Sequence, residues 1–205
     1  MITDREIWNK FKLGDDESFT LIYNNSSRKL YLYGLKFTTN HPIIEDSIQD
    51  LFLDLVRNRK RLGDTDNIFF YLLKSFKHRL FRQLGKEKRY NLKDNNEEII
   101  FDIDYSVEYD IINKEDNSFK IQSLRSALTK LSTRQKEAMY LRFTEEFDYS
   151  EISEIMDVSI ESCRNLIYRA IKLLKDSLNT NYTILLLLLK NNNKHSVTYT
   201  GACWF

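Results

Sequence analysis

Apolar residues recur at three- and four-residue intervals along most of the chain, and this helical period fails only over residues 91–118. Thr3 with Glu6 three positions on predicts a capping box that opens a short helix through Phe11, stopped by Gly14. A second helix is predicted over residues 16–37, with Phe19, Ile22, Tyr23, Leu30 and Tyr33 among its apolar positions. His41-Pro42 interrupts the pattern, because proline suits the first turn of a helix and not its interior. Over residues 42–57 the side chains Ile44, Ile48, Leu51, Phe52 and Leu55 form one stripe for burial. Asp46, Gln49, Asp50 and Leu53 share a second face, whose mixture of acids with an apolar residue suits protein contact. Beyond a polar break at residues 63–67, a helix over residues 68–88 has the core stripe Phe69, Leu73, Phe76, Leu80 and Leu84. Its other side carries Lys74, Lys77, His78, Arg82, Lys86 and Arg89, with Tyr71 and Phe81 interleaved. Aromatics among cations offer stacking platforms beside phosphate contacts, the chemistry that holding a single strand requires.

The period resumes downstream. Helices are predicted over residues 119–130 and 132–147, the second opened by a capping box of Ser132 and Gln135. A short helix over residues 150–156, a turn at Asp157-Val158 and a long helix capped by Ser159 and running to residue 178 make a helix-turn-helix candidate. In the long helix Cys163, Ile167, Ala170, Ile171 and Leu174 fall on the inner side. Arg164, Asn165, Tyr168, Arg169 and Lys172 are left outside, where they could reach phosphates and base edges in a major groove.

Composition sharpens this reading. Five Gly and one Pro in 205 residues are about a quarter of the usual share, which disfavours sandwiches, glycine-rich phosphate loops and proline-rich disordered chains. The expectation is an all-α protein of two small helical domains: residues 1–90, an acidic flexible linker at 91–118, a helix-turn-helix domain at 119–178, and a tail at 179–205. The net charge of +1 conceals segregation. Residues 57–93 hold twelve Lys/Arg against three acids, and residues 94–117 hold nine acids against Lys114 alone. Such blocks suit a chain that meets a polyanion with one part and avoids or imitates it with another, although solvated charge runs also occur in helical proteins. The longest purely apolar run, residues 184–189, is far short of a bilayer span, and the polar start after Met1 lacks the features of a secretory signal. A cytoplasmic protein without membrane insertion is expected. In the tail, that run should pack back on its domain or meet a partner, unless the tail is a disordered appendage. Cys163 and Cys203 read as free thiols, and Cys163 as a small core residue. No phosphate loop, metal-ligand spacing or nucleophile elbow occurs, so neither an enzyme nor a cofactor or metal site is expected.

Two segments match one family. The run Glu45-Asp46-Ser47-Ile48-Gln49-Asp50-Leu51-Phe52-Leu53-Asp54-Leu55 resembles the acidic helix with which bacterial extracytoplasmic-function (ECF) sigma factors dock on the β′ subunit of RNA polymerase. Residues 127–135, Ala-Leu-Thr-Lys-Leu-Ser-Thr-Arg-Gln, followed by Tyr149-Ser150-Glu151-Ile152-Ser153-Glu154-Ile155, are similar to that family's helix-turn-helix pattern. The basic helix is similar to Bacteroidetes members. The chain departs from the family at His78, where an Asn is common, at Ser153 and Asp157, and at Leu166, which stands where a basic residue is usual.

The resemblance implies a sigma factor that binds core RNA polymerase, directs it to promoters and helps open DNA for transcription initiation. It implies core-polymerase contacts by Asp46, Gln49, Asp50, Leu53 and Asp54. Start-proximal DNA would meet Arg59, Arg61, Asn67, Lys74, Lys77, His78, Phe81, Arg82 and Lys86, and upstream DNA would meet Ser159, Ser162, Arg164, Asn165, Tyr168, Arg169 and Lys172. The implied partners are the β and β′ subunits, promoter DNA, and an anti-sigma factor or recruiting protein. Competing readings are a dimeric helix-turn-helix regulator with a sensing domain, and a chain that a partner protein brings to DNA.

Overall fold

The computed structural model describes residues 2–90, 101 and 126–178, and the predicted tail, nearly all of the linker and the start of the helix at 119–130 lie outside them. The described residues contain helices and no strands, and they divide into two compact units, the first made of those within 1–102 together with 154–157 and the second of the remainder.

In the first unit α1 spans Asp4–Leu13, α2 Asp16–Gly34, α3 His41–Asn58 and α4 Ile68–Tyr90, with a single 3₁₀ turn at Arg59–Arg61. Local chemistry sets these boundaries. Thr3 and Glu6 form the expected capping box, and Gly14 closes α1 at φ 102°, a left-handed conformation that a side chain would strain. Asp15 caps α2 through the Ser18 amide, and Asn40 caps α3 ahead of Pro42. At the head of α4 the Ile68 amide donates to Asp4 at 2.9 Å, tying the first helix to the last, and the Phe70 amide donates to Asn67.

The α3 stripe is buried as the period requires: Ile44, Ile48, Leu51, Phe52 and Leu55 are all inside. Two expectations need correction. The second helix ends at Gly34, three residues early, because the amides of Lys36 and Phe37 turn back to Tyr33 and Gly34 and drop Phe37 into the core. In α4, Phe69 is only half-buried with the Lys29 ammonium 4.8 Å from its ring centre, while Ile68 and Leu72 take the interior positions. Helical spacing fixes the width of a stripe but leaves its rotation to the neighbours, here α2 and α3.

Gly34 marks a tight crossing. A β-carbon there would stand 2.8 Å from Ile44 Cγ2 and 3.1 Å from Phe76. Phe101, expected in a linker without a scaffold, is instead fully buried, its ring centre 6.0 Å from Tyr33 and 4.9 Å from Phe37.

In the second unit residues 126–129 are helical, α5 spans Thr133–Phe143, α6 Tyr149–Met156 and α7 Ile160–Leu178. Ser132 and Gln135 form the predicted capping box. The helix after it stops four residues before the predicted end. Glu146 adopts a left-handed φ of 61°, and the Phe147 amide reaches back to the Leu141 carbonyl, so Phe147 is buried from a loop. Asp148 and Glu151 cap α6 reciprocally. Asp157, at φ 53°, makes the tight turn, and Ser159 caps α7 through the Ser162 amide. Cys163, Ile167, Ala170 and Leu174 are buried on the inner side of α7, which packs on α5, and Ile171 is half-buried.

Candidate functional site

Burying the Ile44 stripe forces the opposite side of α3 outward. Asp46, Gln49 and Asp50 are exposed beside Leu53, which keeps 43% of its surface. This is an acidic face continued by exposed apolar residues, Leu53 and, one turn on, Val56. Asp54 stands apart from it. Its Oδ2 lies 2.8 Å from Arg79 Nη1, and its Oδ1 is 3.9 Å from Arg57. Arg79 Nε is buried with no acceptor, so the Asp54 carboxylate is the group that compensates this half-buried guanidinium.

On α4, His78, Arg82 and Lys86 are exposed, and Lys74 and Lys77 are half-buried. Phe81 is half-buried too, edge-on to Phe37 with ring centres 5.0 Å apart. The Lys77 ammonium stands 5.5 Å from the Phe81 centre and 6.0 Å from that of Phe37. The ring is thus packed against Phe37 with the Lys77 ammonium over it, and it stays half-buried.

The turn before α4 gathers cations. Arg61 is exposed, and Val56, Arg57, Asn58, Arg59, Lys60 and Arg61 line an open depression of about 540 Å³. Arg59 is half-buried, its guanidinium packed where a β-carbon on Gly14 would fall, beside the carbonyl end of α1. Asn67 spends its side-chain oxygen capping α4. Trp8, fully buried, donates its indole Nε1–H to the Gly63 carbonyl at 2.8 Å. Lys12 bonds Asp64 at 2.7 Å, and that hydrogen bond, with the ammonium charge, holds the Asp64 carboxyl below its ordinary range. The loop at residues 62–67 is therefore pinned to α1 by these two hydrogen bonds, while Lys60 and Arg61 beside it are exposed.

On α7 the side chains Arg164, Asn165, Arg169 and Lys172 are exposed along one face, and Tyr168 keeps 66% of its surface. Ser159 and Ser162 are exposed but bonded to each other through their hydroxyls at 2.9 Å. The geometry also singles out two residues that the sequence did not. Arg142 donates to the Phe147 carbonyl at 2.8 Å, and its guanidinium carbon lies 4.9 Å from the ring centre of Tyr149. Arg164 reaches the same ring at 5.5 Å. Periodicity carries no signal for this cluster, because its members sit on three different elements. Beneath it, burial pushes the Cys163 thiol up, and Arg142 and Arg164 pull it part of the way back.

No group of three metal-binding side chains converges among the described residues, and no described helix is long and apolar enough to cross a membrane.

Residues 121–174, which include the helix-turn-helix, match the family model for sigma-70, region 4. Solved structures share the fold, among them the following two. CnrH, solved in complex with the cytosolic domain of CnrY, is 15% identical with a TM-score of 0.54, the match covering 86% of this chain and 97% of that one. The sigma factor RpoE from Bartonella quintana, solved with the anti-sigma factor NepR, is 20% identical with a TM-score of 0.53, covering 81% and 97%. Comparison with curated protein sequences finds no match.

Proposed function

We propose that the chain is an ECF-type sigma factor that docks on core RNA polymerase, directs it to promoters and helps open them. The observation that carries this reading is the region 4 match on the helices whose outer face exposes Arg164, Asn165, Tyr168, Arg169 and Lys172. A helix of this kind reads base edges in the major groove while its cations neutralise phosphates.

The first unit supplies the other half of the reaction. Asp46, Gln49, Asp50 and Leu53 form the polymerase-facing surface, an acidic face continued by an exposed apolar residue. Asp54 supports that surface through Arg79. Arg61, His78, Phe81, Arg82 and Lys86 meet the start-proximal DNA, with Lys74 and Lys77 alongside. Phe81, packed against Phe37 and Lys77, offers a fixed ring to an unstacked base, and extruding such a base costs a few kcal/mol that pocket contacts offset. Arg59 and Asn67 act indirectly, by shaping the turn and the start of α4. Opening is driven by binding, without nucleotide hydrolysis. An anti-sigma partner, of the kind seen with the RpoE neighbour, would regulate the chain by covering one of these faces.

The test is capture of purified core polymerase by the full chain, followed by transcription from fragments that the resulting holoenzyme selects. Core capture with promoter-dependent transcripts supports the proposal. A stable dimer that binds DNA without core polymerase would instead make the chain a helix-turn-helix regulator.

A further inference from the structure

Arg164 is a long, exposed side chain early in the helix that faces DNA, and such a side chain carries rotamer entropy that binding must suppress. Here it has already been given a place, since its guanidinium lies over the ring of Tyr149. Tyr149 is the first residue of α6, fixed by the Asp148–Glu151 cap. The same ring receives Arg142, which the Phe147 carbonyl holds from the other side of the loop. Both guanidinium groups thus lie against the Tyr149 ring, and no carboxylate lies within ion-pair distance of either among the described residues. Cations held on a ring without an ion-paired carboxylate favour an approaching anion.

We propose that Tyr149 is a positioning residue for DNA binding, its ring fixing the Arg164 guanidinium so that it meets a backbone phosphate already oriented. The proposal rests on the sigma-factor reading for the identity of the anion. Tyr149 itself touches no phosphate. It acts by removing rotamers of Arg164 before DNA arrives, and pre-organisation of this kind strengthens binding without adding a contact. An exposed cation–π contact contributes about 0.5–1 kcal/mol, which sets the size of the effect at about two- to fivefold in affinity.

The experiment uses holoenzyme made with the full chain and a duplex enriched by that holoenzyme from a random-sequence library. Arg164→Ala is expected to weaken binding and to reduce the salt slope by about one. Tyr149→Leu is expected to weaken it about two- to fivefold with the salt slope of the parent retained, since both guanidinium charges remain. Tyr149→Phe, which keeps the ring, is expected to restore the parent affinity. In the Arg164→Ala and Arg142→Ala double background Tyr149→Leu should change nothing further. Parent affinity in Tyr149→Leu, with Arg164→Ala impaired, would overturn the positioning role and leave the sigma-factor reading intact. An undiminished Tyr149→Leu effect in the double background would overturn it as well, by marking the ring as merely structural. A second readout is independent of DNA: the Arg164 side-chain NMR signals should carry a ring-current shift in the parent and in Tyr149→Phe, and lose it in Tyr149→Leu. Unshifted signals in the parent overturn the proposal even if the chain binds DNA, whereas a shifted signal with Arg164→Ala harmless on every duplex leaves Arg164 positioned and removes its proposed phosphate.

Discussion

Arg79 reaches from α4 to the Asp54 carboxylate on α3 at 2.8 Å, and this pair ties the proposed polymerase-facing helix to the proposed DNA-facing one. With Arg79 Nε already buried and unpaired, loss of Asp54 leaves a half-buried guanidinium uncompensated. A charged hydrogen bond contributes about 1.5–3 kcal/mol, and the part-exposure of both partners reduces this to about 1 kcal/mol. Asp54→Ala should therefore lower stability by about 1 kcal/mol in urea titrations, and Asp50→Ala should not. Equal stability of the two variants would remove Asp54 from this structural role.

The two sides of α3 should separate stability from polymerase binding. Phe52 is 4% exposed and packs on the rings of Tyr23 and Phe19, at 4.8 and 6.2 Å, so Phe52→Ala is expected to cost about 3–5 kcal/mol. Asp50→Lys reverses a charge on the exposed face and should leave the unfolding midpoint unchanged while weakening core capture by tenfold or more, about 1.4 kcal/mol or greater. Undiminished capture by Asp50→Lys in a competition assay would sink the assignment of that face.

Gly34 tests the packing of the first unit. Gly34→Ala puts a methyl group 2.8 Å from Ile44 Cγ2, and the cost should be about 1–3 kcal/mol despite the better helix propensity of alanine. Combined with Ile44→Ala, which by itself costs about 2–5 kcal/mol because Ile44 is fully buried, the two losses should be less than additive, because the truncation vacates the space into which the methyl group intrudes. Additive losses in denaturant titrations would show that the two positions do not compete for this space.

Acid should act on the α1 and α2 ends of the first unit. Glu6 is held below its ordinary value of 4.5 by the Thr3 backbone amide and hydroxyl, and Asp15 below 3.8 by the Ser18 hydroxyl and amide. Asp64 is held low by the Lys12 hydrogen bond and charge. Each folded-state value is depressed, so the associated stability is complete above the unfolded value and disappears as pH falls through the folded one. Stability from this source should hold from neutrality down to about pH 5 and then decline through and below 4.5. A chain carrying Glu6→Gln, Asp15→Asn and Asp64→Asn should show a shallower decline in urea midpoints, and an unchanged slope would assign acid lability elsewhere.

Much of this was legible before any coordinates, and the division follows the range of the interaction. The Thr3–Glu6 and Ser132–Gln135 capping boxes, the Gly14 stop and the α3 stripe depend on neighbours within one or two turns, and the helices they define are present. The exposed face of Arg164, Asn165, Tyr168, Arg169 and Lys172 follows from the burial of Cys163 and Ile167 by simple rotation. What the pattern could not carry are relations between distant segments. Asp54 looks like one more acid on an acidic face until Arg79 is seen opposite, and Arg59 like one more cation until Gly14 is found beneath it. Phe101 is a lone aromatic in an aperiodic acidic stretch, and its burial comes from Tyr33 and Phe37, more than sixty positions earlier. Tyr149 was visible as part of a motif, yet its two guanidinium neighbours come from a helix before it and a helix after it.

The Trp8–Gly63 hydrogen bond makes the protein its own optical probe. Indole emission depends on the polarity around the ring and on what its N–H donates to, and Trp8 is shielded from water with its donor fixed on the loop that leads into α4. The chain's other tryptophan, Trp204, lies outside the described residues and can be replaced by Phe to leave a single emitter. In that background any event that pulls the loop off α1, whether a captured base or a bound regulator, reaches the fluorimeter as a change in one buried residue. The loop's movements can thus be timed in the unlabelled protein, against binding measured separately on either partner.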